Sequence, residues 1–366
     1  MSVALWPAIR LRQGITMSID LSSLGWHDDF ARAYRSYDRP DHQPGRVARV
    51  DLGVCTVLCP TGPVRASLSA TMLDRGARDP VDLPCTGDWV AVRTWPDGRV
   101  TVETVLPRRT AVIRASAGAE ALGQALAANI DTAAVVEPMD PQPDPGRIER
   151  LLALAWDSGA RPVVVLTKAD LVRDPATVAA AITAPDVSVY AVSTRSASGL
   201  SQLRRYVTPG RTLGLLGSSG AGKSSLVNAL VGTTVMGVQD LRSDGRGRHT
   251  TTVRALVPVP DGGAVLDTPG IRGIGMFDGT AGLALAFGDI TALAARCRFV
   301  GCAHDTEPGC EVRAALATGE LSPRRLASWH KLQRELLFET NRREARHRSV
   351  DQYIRRRAER RARRHP

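Results

Sequence analysis

The sequence predicts a multidomain fold with three successive parts: a small N-terminal β-barrel, a central α/β domain and a C-terminal helical domain. Three observations lead to this prediction. Short alternating stretches separated by turn residues fill residues 44–113. From about residue 128, apolar strands alternate with amphipathic helices, as in a parallel sheet covered on both faces. After residue 280 the pattern is helical, apart from a cluster of cysteines around one histidine.

The length and composition of the chain are those of an ordinary folded protein. The chain has 366 residues, of which 43% are hydrophobic and 23% charged, and it is long enough for two or three cores. No stretch approaches the roughly 20 apolar residues that span a bilayer. The N-terminus lacks the apolar centre and the cleavage site of a signal peptide. We therefore expect a cytoplasmic monomer without a membrane partner.

The net charge of +11 is unevenly distributed. Residues 342–366 hold eleven arginines against Glu344, Asp351 and Glu359, which leaves +8 in this tail. The tail is either a solvated extension or an electrostatic arm for a polyanion, most often a nucleic acid. The charge alone does not decide between these interpretations.

The barrel is predicted for residues 44–115, after an N-terminal extension of residues 1–43. The segments "RVARVDLGVCTVLC", "VRASLSA", "DWVAVRTW" and "RVTVETVL" alternate between turn signals. This pattern favours an oligonucleotide-binding (OB) barrel over other small β folds only modestly. Cys55, Cys59 and Cys85 are predicted to pack there as small apolar residues.

The α/β domain is predicted for residues 120–280. Its first helix, in "DPGRIERLLALAWDSG", should be capped by Asp144, begin with Pro145 and end near Gly159. The strands "NIDTAAVVEP", "RPVVVLTK", "VSVYAVS" and "RTLGLLG" should form the parallel sheet, with a hairpin turning at "DGG".

A phosphate-binding loop is predicted at "GSSGAGKSS", which fits G-x-x-x-x-G-K-[ST] between a strand and a helix. Its backbone N–H groups and the helix N-terminus would hold phosphates. Lys223 should reach the outer phosphates, and Ser224 should ligate Mg²⁺. A glycine-rich turn without a ligand is the disfavoured alternative. The predicted contacts are Gly217, Ser218, Ser219, Gly220, Ala221, Gly222, Lys223, Ser224 and Ser225.

Two further segments complete this site. "LDTPG" supplies D-x-x-G at a strand end, where Asp267 can hold the metal and the Gly270 N–H can bind the γ-phosphate. "GRHTTT" offers Thr250 and Thr251 for the switch loop whose threonine completes Mg²⁺ coordination. Spacing does not distinguish the two threonines, and Thr250 is taken as the magnesium ligand.

The tetrapeptide Thr167, Lys168, Ala169 and Asp170 looks like the [NT]KxD motif that reads guanine in GTPases. An aspartate there can accept hydrogen bonds from the ring N–H and the amino group of guanine. "VSTRSASG" lies where GTPases place a further guanine contact but departs from that pattern at Thr194.

The guanine motif precedes the phosphate loop, which is a circular permutation of the GTPase order. The permutation is physically reasonable, because ligands of open parallel sheets bind where the carboxyl ends of several strands meet. It also makes the D-x-x-G segment the last element of the nucleotide domain. Whatever follows is tethered to a part that moves on hydrolysis.

A metal site is predicted in the helical domain, residues 281–340. Cys297, Cys302, His304 and Cys310 give C-x4-C-x-H-x5-C, a set suited to one tetrahedral Zn²⁺. Four protein ligands leave no open position, so the site would be structural. Beyond it, Ser322 and Pro323 should start a helix with Leu326, Trp329, Leu332 and Leu336 on one face.

These motifs together resemble the circularly permuted ribosome-biogenesis GTPases of the RsgA (YjeQ) family, over residues 44–335. The resemblance implies an OB domain, a permuted GTPase domain and a zinc domain. It also implies binding to the small ribosomal subunit and its rRNA late in assembly, with GTP hydrolysis stimulated there. The resemblance implies no structure or function for the arginine-rich tail of residues 341–366.

The residue after D-x-x-G is Ile271, which cannot orient the attacking water as the glutamine of many GTPases does. His249, directly before the threonine run, is the best internal candidate for a catalytic residue, and the resemblance also points to it. Two alternatives stay open for the function. One is a permuted GTPase with another client, such as the large subunit; the other is an RNA-binding module with a regulatory or vestigial nucleotide site.

Overall fold

The computed structural model describes residues 18–115, 123–236, 254–268 and 279–362. The strands are β1 (His42–Asp51), β2 (Val54–Cys59), β3 (Gly62–Leu68), β4 (Trp89–Thr94), β5 (Val100–Val105), β6 (Ala111–Ala115), β7 (Gly123–Ala128), β8 (Thr132–Pro138), β9 (Arg161–Thr167), β10 (Val189–Ala191), β11 (Thr212–Gly217), β12 (Ala255–Pro258) and β13 (Ala264–Asp267).

The helices are α1 (Asp28–Tyr34), α2 (Ala70–Arg78), α3 (Pro145–Asp157), α4 (Pro175–Ala180), α5 (Leu200–Arg204), α6 (Lys223–Val231), α7 (Thr280–Ala286), α8 (Gly288–Ala294), α9 (Glu311–Thr318) and α10 (Pro323–Ala362). Single 3₁₀ turns lie at Arg35–Tyr37, Pro80–Asp82 and Ala169–Leu171.

The N-terminal barrel is closed, in the order β1-β2-β3-β5-β4. β3 and β5 pair in parallel, the other pairs are antiparallel, and α2 connects β3 to β4. This closed five-stranded arrangement confirms the predicted OB-like barrel. Cys55 and Cys59 are fully buried in its core, and burial raises the pKa of both thiols to about 12. Their predicted apolar role is therefore confirmed.

The central sheet has six strands in the order β10-β9-β8-β11-β13-β12. All pairs are parallel except β12 with β13, which is the predicted hairpin. The chain runs outward from β8 to β10 and then returns to β11 beside β8. The switch in strand order therefore falls between β8 and β11, where open sheets bind ligands.

Helix α3 has the N-cap, the first residue and the C-terminal glycine that its sequence predicts. The Asp144 side chain accepts a hydrogen bond from the Arg147 N–H, and Pro145 is the first helical residue. Gly159 has φ +81° just beyond the helix. The buried face of α3 includes Ile148, Leu151 and Leu152, and it packs in the largest hydrophobic core.

The C-terminal helices pack on α3. A Cβ at Gly282 of α7 would lie 2.2 Å from the Ala153 carbonyl oxygen, so only glycine allows this close approach. Ser322 accepts the Arg325 N–H at 3.3 Å at the start of α10. Leu326, Leu332 and Leu336 are buried, as their spacing predicts. α10 is continuous across residue 341, where the tail was predicted to begin. The domain boundaries themselves stay predictions.

A buried ion-pair cluster joins α10 to α3. Arg325, which is 3% exposed, donates to Glu149 at 2.9 Å and to Asp289 at 2.6 and 2.7 Å. Arg324 also contacts Glu149, at 2.7 Å, but its side chain is 46% exposed. The cluster therefore satisfies the Glu149 carboxylate, which is buried in α3.

Among the described residues, no helix combines the length and the apolar character needed to span a membrane.

Candidate nucleotide site and metal centre

The phosphate loop connects the end of β11 at Gly217 to the start of α6 at Lys223. Gly220 and Gly222 have φ of +81° and +88°, which side chains rarely adopt. These glycines let the loop turn tightly into the helix N-terminus. The backbone therefore has the form that the sequence motif predicts, with Ser218, Ser219 and Ala221 inside the loop and Ser224 and Ser225 in the first turn of α6.

The Lys223 ammonium group lies under this loop. Its Nζ donates to the carbonyl oxygens of Gly217 at 2.9 Å and Ser218 at 2.8 Å. The residue is 6% exposed. Burial lowers the pKa of Lys223, while the Asp267 carboxylate opposes this shift. The ammonium is therefore a poorly hydrated cation at the loop, suited to an anionic ligand.

Asp267, at the end of β13, faces the start of α6. Its Oδ2 accepts a hydrogen bond from the Ser224 hydroxyl at 3.3 Å, and its Oδ1 is buried without a hydrogen-bond partner. Burial raises the pKa of Asp267 to about 6, although Lys223 and Ser224 act in the opposite direction. An unsatisfied buried carboxylate oxygen beside a hydroxyl fits the oxygen ligands that Mg²⁺ prefers.

The T-K-x-D segment contacts the phosphate loop directly. The Thr167 hydroxyl, at the end of β9, donates to the Ala221 carbonyl oxygen at 2.7 Å. Lys168 has φ +58°, and its Nζ donates to the Asp140 carbonyl oxygen at 3.1 Å. Ala169 is buried, whereas Asp170 is exposed. The fold therefore brings the two motifs together across 54 residues of sequence.

Ser193, in the segment "VSTRSASG", contacts the T-K-x-D segment. It follows β10, is fully buried, and donates to Asp170 Oδ1 at 2.6 Å. Its hydroxyl oxygen also accepts the N–H groups of Arg195 at 3.2 Å and Ser196 at 3.1 Å. The two N–H groups hold the Ser193 hydroxyl, which in turn orients the Asp170 carboxylate. The signal was present in "VSTRSASG", but the departure at Thr194 obscured it.

His249, Thr250, Thr251 and Gly270 lie outside the described residues. Their assigned roles stay predictions.

The predicted metal ligands do converge. The ligand atoms of Cys297, Cys302, His304 and Cys310 all lie within 4.8 Å of one another. Cys297 Sγ and Cys310 Sγ are 3.9 Å apart, close to the roughly 3.8 Å between two sulfurs each about 2.3 Å from a tetrahedral zinc ion. His304 Nδ1 lies 3.6 Å from Cys297 Sγ and 3.4 Å from Cys310 Sγ. This group can hold a metal ion.

Two neighbours support the loop that carries these four residues. The Glu307 carboxylate accepts the N–H groups of Ala303 at 2.8 Å, Asp305 at 3.0 Å and Thr306 at 3.1 Å. Backbone N–H groups, including its own, lower the pKa of Glu307 to about 2. The ring of Trp329 lies 5.5 Å from that of His304, between centroids. Glu307 was not predicted from the sequence, because its role appears only in the folded loop.

The fold and the site define a class of protein. A phosphate-loop motif and the buried carboxylate of Asp267 meet the T-K-x-D motif at the carboxyl edge of a parallel sheet, and the T-K-x-D motif comes first in the chain. This is a P-loop GTPase with a circularly permuted order of motifs.

The chain belongs to the RsgA family of GTPases. The family model described as RsgA GTPase matches residues 105–277. A relative from Streptomyces coelicolor, named small ribosomal subunit biogenesis GTPase RsgA, is 49% identical over 321 residues, which is 86% of each chain. A relative of the same name from Opitutus terrae is 41% identical over 338 residues, covering 88% of this chain and 91% of its own length.

Solved structures agree with this fold. YjeQ from Thermotoga maritima superimposes with a TM-score of 0.57 at 25% identity, over 81% of this chain and 99% of its own. YloQ, described as a circularly permuted GTPase, gives a TM-score of 0.55 at 22% identity, over 82% of this chain and 97% of its own. The predicted combination of β-barrel, permuted GTPase domain and C-terminal metal-site region is confirmed.

Proposed function

We propose that this chain hydrolyses GTP as a checkpoint factor in late assembly of the small ribosomal subunit. In this proposal it binds the subunit and its rRNA as a cytoplasmic monomer, and the bound subunit stimulates hydrolysis. The hydrogen bond from Thr167 to Ala221 carries the proposal, because it joins the guanine motif to the phosphate loop in one site. The names of the Streptomyces coelicolor and Opitutus terrae relatives support the small subunit as the client.

Guanine recognition is assigned to Asp170. Ser193 holds one carboxylate oxygen by a 2.6 Å hydrogen bond, so the carboxylate has a fixed orientation. A carboxylate accepts hydrogen bonds from the ring N–H and amino group of guanine, and adenine does not present this pair of donors. The stem of Lys168 would cover the base while its Nζ stays near the Asp140 carbonyl.

Phosphate binding is assigned to the loop from Gly217 to Ser225. Lys223 would exchange its contacts with the Gly217 and Ser218 carbonyls for the outer phosphates. Ser224, Asp267 and Thr250 would hold Mg²⁺, which supplies positive charge to the phosphates when it is bound with GTP. Thr251 is the other threonine considered for this role, and the Gly270 N–H would bind the γ-phosphate.

His249 is proposed to position the water that attacks the γ-phosphate. Replacement by alanine should slow subunit-stimulated hydrolysis by roughly 10²–10⁴-fold, the range of general acid–base groups, and by less if the side chain only positions water. GTP affinity should stay the same, because the base and phosphate contacts are untouched. Loss of GTP binding would make His249 a structural residue, and wild-type turnover would remove it from the mechanism.

The metal centre is proposed to bind one structural Zn²⁺. Cys297, Cys302, His304 and Cys310 supply the sulfur and nitrogen ligands that zinc prefers. Burial lowers the pKa of His304, which keeps its imidazole neutral and able to ligate near pH 7.

Separated ribosomal subunits can be used to test which subunit this chain binds. The protein, loaded with a non-hydrolysable GTP analogue, should co-sediment with small subunits and not with large ones, and less with GDP. Small subunits should also raise the GTPase rate of the wild type but not of Lys223→Ala, which removes the phosphate contact. Co-sedimentation with large subunits alone would reassign the client. Subunit binding that is independent of the nucleotide, with no stimulated hydrolysis, would favour a passive RNA-binding module.

A further inference from the structure

A cavity of about 200 Å³ lies between the barrel and the GTPase domain. Its walls come from three parts of the chain: the N-terminal segment at Gly25 and Phe30, the barrel at Arg46 and Trp89, and the amino ends of β8, β9 and β11. The nucleotide site lies at the carboxyl ends of the same strands. The cavity is therefore separate from the site assigned to GTP.

The Arg46 side chain forms part of this wall and is 1% exposed. Its guanidinium donates only to neutral oxygens: the carbonyls of Leu24, Gly87 and Asn129 and the hydroxyl of Thr212. Among the described residues, no carboxylate lies within ion-pair distance of it. Buried charges in proteins are normally paired. Burial lowers the pKa of Arg46 to about 10, although Asp131 and Asp88 raise it from longer range.

Three more arginines line the same cavity: Arg109, Arg161 and Arg211. Arg109 contacts His27 Nε2 at 3.2 Å, and Arg211 donates to Asp131 at 3.3 Å. Asp131 supplies the one carboxylate in the cavity wall, and its other oxygen accepts the Thr212 N–H at 2.8 Å. Four arginines thus line a cavity whose wall holds a single carboxylate, and that carboxylate already pairs with Arg211.

We propose that this cavity binds a small phosphate anion of about the size of inorganic pyrophosphate, between the barrel and the GTPase domain. The excess of arginines over carboxylates in the cavity wall matches a multiply charged anion, and a guanidinium such as that of Arg109 or Arg161 can donate two hydrogen bonds to phosphate oxygens. Arg46, which already donates to four neutral oxygens, would contribute mainly its charge. The volume fits this size, because a cavity of about 150 Å³ accommodates benzene. Such an anion would give the Arg46 charge its missing counter-charge and would link both domains.

The test is calorimetric titration of pyrophosphate into the full chain saturated with Mg²⁺ and GDP. Bound GDP keeps pyrophosphate out of the phosphate loop, so the remaining heat reports other sites. Wild type should bind, and pyrophosphate should raise its melting temperature. Arg161→Ala and Arg109→Ala should each weaken binding by roughly tenfold or more, the loss typical of a charged hydrogen bond. Both side chains are on exposed residues, so these variants should fold.

Arg204→Ala is the matched control, because it removes an exposed arginine of α5 that does not line the cavity. It should bind pyrophosphate like the wild type. No binding to the GDP-loaded wild type, or an equal loss in Arg204→Ala, would overturn the proposal. The proposal would also be overturned if the wild type did not bind pyrophosphate but bound RNA through Arg109 and Arg161.

Discussion

The Thr167 hydroxyl donates a 2.7 Å hydrogen bond to the carbonyl oxygen of Ala221. Thr167 ends the strand that carries the guanine motif, and Ala221 lies within the phosphate loop. Both groups are buried. The T-K-x-D segment and the phosphate-loop segment are therefore joined by a direct hydrogen bond. The threonine of the T-K-x-D segment therefore has a defined structural role.

Replacing Thr167 by valine should weaken GTP and GDP binding alike. The change keeps the side-chain shape but leaves the buried Ala221 carbonyl without its donor, at a cost of about 1–3 kcal/mol. That cost corresponds to roughly 5- to 150-fold in affinity if it falls on the nucleotide-binding conformation. Thr167→Ser retains the hydroxyl and should bind both nucleotides like the wild type. Fluorescent-nucleotide titration measures this, and equal affinities of the valine and serine variants would dismiss the role.

Asp170→Asn should change base selectivity. The amide would face the guanine amino group with a donor, so GTP binding should weaken, whereas xanthosine triphosphate presents an oxygen there and should bind better. Asp186→Asn is the control, because it makes the same chemical change at an exposed position with φ +56° that asparagine tolerates. Competition between the two nucleotides measures the switch. If neither affinity changes, the T-K-x-D segment is not the guanine reader.

Metal removal should loosen the C-terminal domain. Elemental analysis should find about one zinc per chain, and chelation should lower the melting temperature, because metal binding and folding are coupled at such sites. Cys297→Ala should reduce the zinc content. Cys85→Ala removes a buried thiol of the barrel region that is not a ligand and should keep it. A protein that contains no metal and melts identically with and without chelator would contradict a structural site.

Arg325 and Arg324 form a matched pair for the docking of α10. Arg325→Leu should destabilise the protein by about 3–5 kcal/mol, because it leaves the buried carboxylate of Glu149 and that of Asp289 short of their partner. Arg324→Leu should cost about 1 kcal/mol or less, because its ion pair is half-exposed. Urea denaturation, with limited proteolysis of the C-terminal helices, distinguishes the two. Equal losses of stability in the two variants would show that burial of the Arg325 ion pairs does not determine how much they stabilise the protein.

The arginine-rich tail should supply salt-dependent RNA affinity. Truncation after Arg342 should flatten the dependence of RNA binding on salt concentration, since each phosphate contact adds to that slope. A full-length variant with glutamine at the ten arginine positions beyond Arg342 should have the same effect, which separates charge from length. GTP affinity should not change in either variant. A salt slope equal to that of the wild type would reduce the tail to a solvated extension.

Local chemistry made much of this molecule predictable. The Asp144 cap, the glycines of the phosphate loop and the Cys/His spacing each act within a few residues, so the sequence displays them directly. The contacts that were missed connect distant segments. Ser193 reaches Asp170 only because β10 pairs beside β9, and Arg46 meets Thr212 only because two domains pack together. Register and domain packing depend on the whole fold, and no local pattern reports them.

The strand order also affects how the chain folds during synthesis. β8, β9 and β10 emerge first, but the partner on the other edge of β8 is β11. Roughly 70 residues separate Pro138 from Thr212, which corresponds to about 4–14 s of translation. One edge of β8 is thus left unpaired for seconds, when other chains can pair with it. The T-K-x-D motif emerges before the phosphate-loop motif, so nucleotide binding to both can stabilise this domain only after β11 and α6 have been made.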